Sequence, residues 1–173
     1  MIWIDIAVTL IFIFSFIGGL KEGAVKSFFS LLTLFIVIPL TGFLYLYFVS
    51  VLSFIPDQIW RNFIGFFGTF IVLSIILSLI FLIPSRLLGG IWDKGVLSIL
   101  LGGLFAVIGC AISLVLLRIV VQTYPIFDWL DHILTNSRVI SWFAPYLDFI
   151  RLMLPEVFRG GGAITVMFLN RIF

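Results

Sequence analysis

Few residues in this chain have the side chains that chemistry needs, and they stand apart from one another. His132 is the sole histidine and lies close to Asp128 and Asp131. An imidazole beside carboxylates could act as a general base or a pH sensor. A multi-histidine metal site needs more than one ring, so a single copy of the chain does not build one. Serines and aspartates are present, but none sits in a nucleophile-elbow pattern that would make His132 part of a triad. His132 therefore reads as a surface side chain. Cys110 is the sole cysteine, so it forms no internal disulfide, and no sulfur or imidazole stands near it to complete a metal site. It reads as a small core residue, and cysteine usage leaves the redox compartment open. The pairs Gly89-Gly90 and Gly102-Gly103 and the run Gly160-Gly161-Gly162 lack the G-x-G-x-x-G spacing and strand context of a phosphate-binding turn. The expectation is a protein with no catalytic residues, no cofactor and no metal, and thus not an enzyme.

Two residues inside apolar segments carry more interest. Asp5 is an acid in an apolar run, which in a membrane segment is a functional hypothesis by default. It lies only about 6 Å of helix rise from the N-terminus, at interfacial depth, where a carboxylate also favours the positive end of the helix dipole. The structural reading is preferred for Asp5. Pro39 lies near the middle of a charge-free apolar run and should kink the helix or break one of its hydrogen bonds. Neighbouring helices or Thr hydroxyls can satisfy the freed carbonyl, and a kink can also serve gating; both uses are open.

The elements that hold these residues follow from composition. Of 173 residues, 63% are hydrophobic and 10% charged, with a mean hydropathy of +1.35. Soluble domains carry about 25% charged residues, so the deficit places the chain in a membrane. A chain of this length is expected to form one domain. The net charge of +2 comes with no basic run, which argues against nucleic-acid binding. The first twenty residues lack a basic start, and their apolar run is longer than the core of a typical signal peptide. They read as a first span.

An apolar helix of about 20 residues crosses a bilayer. On that measure the chain is an all-α integral membrane protein with spans at about 2–20, 27–51, 62–83 and 95–121, arranged as two hairpins. Pro84 is expected to close the third span, leaving Ser85–Lys94 as a link. The fourth span organises the rest. Gly95, Ser98, Gly102, Ala106, Gly109 and Ser113 follow at steps of three or four, with Gly103 beside them, forming one stripe of small residues on a helix. Lipid tails give apolar helices no hydrophobic reason to associate, so close approach through such residues supplies the contact. In the third span, Gly65 with Thr69 and Ser74 with Ser78 form small pairs suited to helix contact. Every charge sits at a span end or in a link, so a pore would have to form between protomers.

Basic residues set the orientation. Lys21 and Lys26 lie in the first link and Arg86 and Lys94 in the third, against Arg61 alone in the second. Positively charged links stay in the cytoplasm, so both termini are expected outside. Residues 122–173 form a separate tail. Pro125, Pro145 and Pro155 divide it into pieces too short to span, and apolar residues alternate with charged ones. Short amphipathic helices in the membrane surface fit this pattern, as does a docking surface for a partner.

Several segments together resemble the colicin V production protein (CvpA) family. The opening Met1-Ile2-Trp3-Ile4-Asp5-Ile6-Ala7 is similar to that family's start, and Gly19-Leu20-Lys21-Glu22-Gly23-Ala24-Val25-Lys26 to its first loop. Ser30-Leu31-Leu32, Arg61-Asn62 and Leu100-Leu101-Gly102-Gly103-Leu104-Phe105-Ala106 continue the match, with a looser one through Asn136-Ser137-Arg138 and Pro145-Tyr146-Leu147. Ser27, Ser98-Ile99 and Gly109 stand where the family often has charges, so any role tied to those charges is in doubt here. The resemblance implies a bacterial inner-membrane protein supporting production or export of a peptide toxin, with a wider envelope role. It carries over no catalytic residue; Asp5, Gly19, Gly23, Lys26 and Gly102 transfer as structural positions. The implied role is that of a non-enzymatic accessory component working with export or envelope proteins. A homo-oligomeric channel or small-solute transporter is the alternative.

Overall fold

The computed structural model describes residues 2–92, 95–124, 134, 136–147, 150 and 153–154, and every element among them is helical. Helix α1 spans Ile2–Glu22, α2 Ala24–Val51, α3 Gln58–Trp92 and α4 Val96–Thr123. A short α5, Arg138–Phe143, runs directly into a 3₁₀ turn at Ala144–Leu147. Helices α1 to α4 are each long and apolar enough to cross a bilayer. The chain is a multi-pass membrane protein.

Two boundaries differ from expectation. The polar stretch Lys21–Lys26 reads as a link, yet only Gly23 interrupts the helices there. Its φ of 81° and ψ of 168° lie in a region open to glycine alone. The hydrogen bonding is nearly continuous across it. The Gly23 N–H donates to the Gly19 carbonyl at 3.1 Å, and the Gly23 carbonyl accepts from Ser27 N–H at 3.2 Å. Pro84, expected to end the third span, lies inside α3, which continues through Ser85 to Trp92. Pro84 leaves the Ile80 carbonyl without its helical donor, a loss tolerated inside membrane helices; beside it, the Ser85 hydroxyl donates to the Leu82 carbonyl at 3.0 Å. Pro39 is likewise enclosed in α2.

The helices interleave. Helix α1 packs on α4, α4 on α2, and α2 on α3, whereas α1 and α2 touch little despite their one-residue connection. Side-chain contacts fix the direction of each helix. Ala24 N–H at the start of α2 donates to Ser98 Oγ at the start of α4, 3.2 Å away. Phe29 meets Phe81 late in α3 at 5.5 Å between ring centroids, and Tyr45 meets Phe66 early in α3 at 6.1 Å. The first and third connections therefore share one end of the bundle. At the other end, Ile38, Tyr45, Phe66, Ile112, Val115, Leu116, Ile119 and Tyr124 form the main core. Burial, with Tyr45 beside it, pushes the Tyr124 phenol up. A second cluster joins Val8 of α1 and Val121 of α4 to Leu134 and Ile140 of the tail.

Candidate functional site

The small-residue stripe of α4 divides into two parts. Its first part meets α1 with almost no space between backbones. A Cβ on Gly102 would lie 2.6 Å from the Gly23 carbonyl carbon, and one on Gly19 would lie 2.6 Å from Ala106 Cβ. A Cβ on Gly103 would run into the Phe16 ring. Ser15 Oγ donates across the same contact to the Ala106 carbonyl at 2.9 Å. Gly95 stands outside it, with open space around it. It is the extended residue before α4, and its carbonyl accepts from Ser98 N–H at 3.0 Å. A residue that caps a helix from outside does not continue that helix's stripe.

The second part, Gly109 and Ser113, faces a cavity of about 350 Å³ instead. All four spanning helices contribute to its wall: Ser15 from α1, Ser27, Ser30 and Thr33 from α2, Ser74 and Ser78 from α3, and Ala106, Gly109, Cys110 and Ser113 from α4. The cavity begins at Glu22, at the end of α1, and reaches Ser113, about 25 Å of helix rise from Val96 along α4. Leu34 and Phe70 also line it. One turn further on, Ile38 and Phe66 belong to the main core. The result is a hydroxyl-lined recess that reaches one end of the bundle at Glu22, with the apolar main core beyond its other end; Ser30, Ser78 and Ser113 are also exposed on its flank.

Its hydrogen-bonding capacity is largely unspent. Thr33 Oγ1 donates to the Phe29 carbonyl at 2.8 Å and Ser113 Oγ to the Gly109 carbonyl at 2.9 Å. A hydroxyl that donates to its own helix keeps its acceptor lone pairs. Ser27 goes further: it is 3% exposed, and its Oγ has no partner among the described residues. Among the described lining residues Glu22 alone is charged, and it is paired at the mouth with Lys26, 2.9 Å away. Such a wall can hydrogen-bond a ligand but offers it no nucleophile–base pair.

A second polar feature lies at the opposite end. Asp5 Oδ1 accepts from Ser137 Oγ at 2.9 Å and from Arg138 N–H at 3.0 Å. Ser137 is the N-cap of α5, and its Oγ accepts from Ile140 N–H at 3.4 Å. Asp5 thus completes the start of a helix far along the chain. Phe12 and Phe143 pack edge to face beside it, with centroids 5.5 Å apart. On the outer side of this docked segment Trp142 and Tyr146 are 73% and 74% exposed.

Of the remaining sequence candidates, Lys21, Lys26 and Arg86 are exposed at the end of the bundle where the cavity opens. Lys94, His132 with Asp128 and Asp131, and the tail from Pro155 lie outside the described residues. In α3, Gly65 and Thr69 are buried against α2, and a Cβ on Gly65 would meet Val49 Cγ2 at 2.5 Å. Ser74 and Ser78, read as a helix contact, line the cavity. Ser15, Ser27, Ser30 and Thr33 were not singled out by sequence as lining residues. The available signal was the i, i+3 recurrence of hydroxyls along the start of α2, matched by the i, i+4 pair in α3.

The family model described as colicin V production protein matches residues 4–148, which takes in all four spanning helices, α5 and the 3₁₀ turn. The chain belongs to that family. No curated protein and no solved structure matches it. Family membership supports a role in colicin V production.

Proposed function

We propose that this member of the family is a non-enzymatic inner-membrane component that supports production or export of a colicin V-type peptide toxin, and envelope function, by assembling with other membrane proteins. The observation that carries this reading is the docked tail. Asp5 fastens the start of α5 to the bundle, and the exposed Trp142 and Tyr146 rings meet at a tilt with centroids 6.0 Å apart. Large aromatic side chains on a fixed segment are the usual anchors of a protein interface. The bias of basic residues toward the inner face supports a cytoplasmic cavity end, carrying Lys21, Lys26 and Arg86, with both termini outside.

A homo-oligomeric channel or small-solute transporter is the second reading, favoured by a polar cavity reaching far into an apolar bundle. The two separate in a strain lacking this protein that makes colicin V. Complementation with Trp142→Ala/Tyr146→Ala, at normal abundance, is expected to restore less than a tenth of the toxin released with wild type. Full release with this variant would remove the tail from the account.

A further inference from the structure

We propose that the hydroxyl-lined cavity is a water-accessible binding site for a small, uncharged solute bearing hydrogen-bond donors and acceptors, such as an amide, entered only from the Glu22–Lys26 end. The site stands apart from the accessory role, which rests on the tail.

Three observations carry it. First, Ser27 lines the cavity, and its Oγ is buried with no partner among the described residues. A buried hydroxyl left unsatisfied costs about 1–3 kcal/mol, and a polar occupant that reaches it from the cavity would remove that cost. Second, Ser15, Thr33 and Ser113 already donate to backbone carbonyls and present acceptors, while Ser27 has a proton to give. The wall therefore suits a ligand with both kinds of group. It holds no charge beyond the Glu22–Lys26 pair at the mouth, so a charged ligand would be desolvated without compensation. Third, size limits the occupant. The cavity offers about 350 Å³, within the size range of small-molecule sites. A small solute with a few waters fits that volume.

Cys110 provides a native probe, since it is the sole cysteine and lines the cavity. The experiment treats sealed vesicles of each orientation, containing the full-length protein, with a membrane-impermeant methanethiosulfonate. The rate of Cys110 modification is followed with and without N-acetylglycinamide, an uncharged diamide, or glycine betaine. Cys110→Ala sets the background. Lys21→Cys in the Cys110→Ala protein marks the entry face, and Ile112→Cys in that protein marks dry core.

Cys110 should react at least tenfold faster than the cysteine at position 112, and only from the face that labels position 21. The diamide should slow it severalfold and betaine should not. Ser27→Ala should abolish the protection while leaving the unprotected rate within twofold. A rate no faster than the core control would mean a dry cavity and overturn the site. Reaction from both faces would overturn the single entry, and equal protection by betaine the uncharged ligand. Absence of protection by the diamide, or protection that survives Ser27→Ala, would overturn the assigned ligand contact.

Discussion

The Asp5 carboxylate and the Ser137 hydroxyl, 132 positions apart in the chain, meet at 2.9 Å and join the first turn of α1 to the start of α5. An acid in an apolar run, a functional hypothesis by default, is here the outer half of a helix cap. It accepts from both the capping hydroxyl and the first backbone N–H, and so decides where the tail sits.

Asp5→Ala removes both acceptor contacts at once. Hydrogen bonds to a charged group contribute about 1.5–3 kcal/mol, and docking of α5 should weaken by about that amount. Amide exchange at Arg138 and limited proteolysis of the tail check this, and both should rise. Asp5→Asn keeps an acceptor oxygen and should retain part of the protection. In a double-mutant cycle with Ser137→Ala the effects should be clearly non-additive.

Gly19→Leu or Gly102→Leu should force α1 and α4 apart, because each added side chain would begin inside the opposing backbone or Ala106. Overpacking costs about 1–3 kcal/mol even where neighbours can shift, and backbone atoms shift least. Thermal unfolding in detergent and abundance in the membrane should both fall sharply. Gly95→Leu, with open space around it, should leave both within error. Equal effects at Gly95 and Gly102 would contradict the division of the stripe.

Gly23→Ala tests the one-residue connection. The glycine-only backbone conformation there should cost an alanine about 1–3 kcal/mol. Gly18 sits in the same turn region but in regular helix, with nothing near its Cβ position, and Gly18→Ala should be neutral or stabilise by about 0.5–1 kcal/mol. Chemical or thermal unfolding of the two variants side by side gives the comparison.

Hydropathy made the spanning helices legible, because a bilayer demands long apolar runs whatever packs beside them. The contact of Gly102 with α1 was legible in outline, since spacing alone puts small residues on one stripe. The boundaries at Gly23 and Pro84 were not. Polar Lys21, Glu22 and Lys26 look like a loop, yet they are exposed on helix termini, and Pro84 looks like a stop, yet α3 runs through it to Trp92. The cavity was the least legible feature. Ser15, Ser27, Ser74 and Ser113 come from four different helices, and each alone is an ordinary membrane-helix serine. Their meeting depends on the helix register set by the Gly19–Gly102 contact and by Ala24 N–H on Ser98. Asp5 was visible as an anomaly, but its partner Ser137 was not, because nothing local links them.

Topology gives another check. Lys21 and Arg86 share one end of the bundle, and Asp57 precedes α3 at the other. In the Cys110→Ala protein, Lys21→Cys and Arg86→Cys should label with an impermeant thiol reagent from the cytoplasmic face only, and Asp57→Cys from the opposite face only. Labelling of positions 21 and 57 from the same face would break the four-span arrangement.

The most direct test of the accessory role is the subunit composition and mass of the complex extracted gently from its native membrane. The account predicts a stoichiometric foreign membrane protein, lost when Trp142→Ala/Tyr146→Ala replaces wild type. A complex containing only copies of this chain would contradict it and favour the channel or transporter.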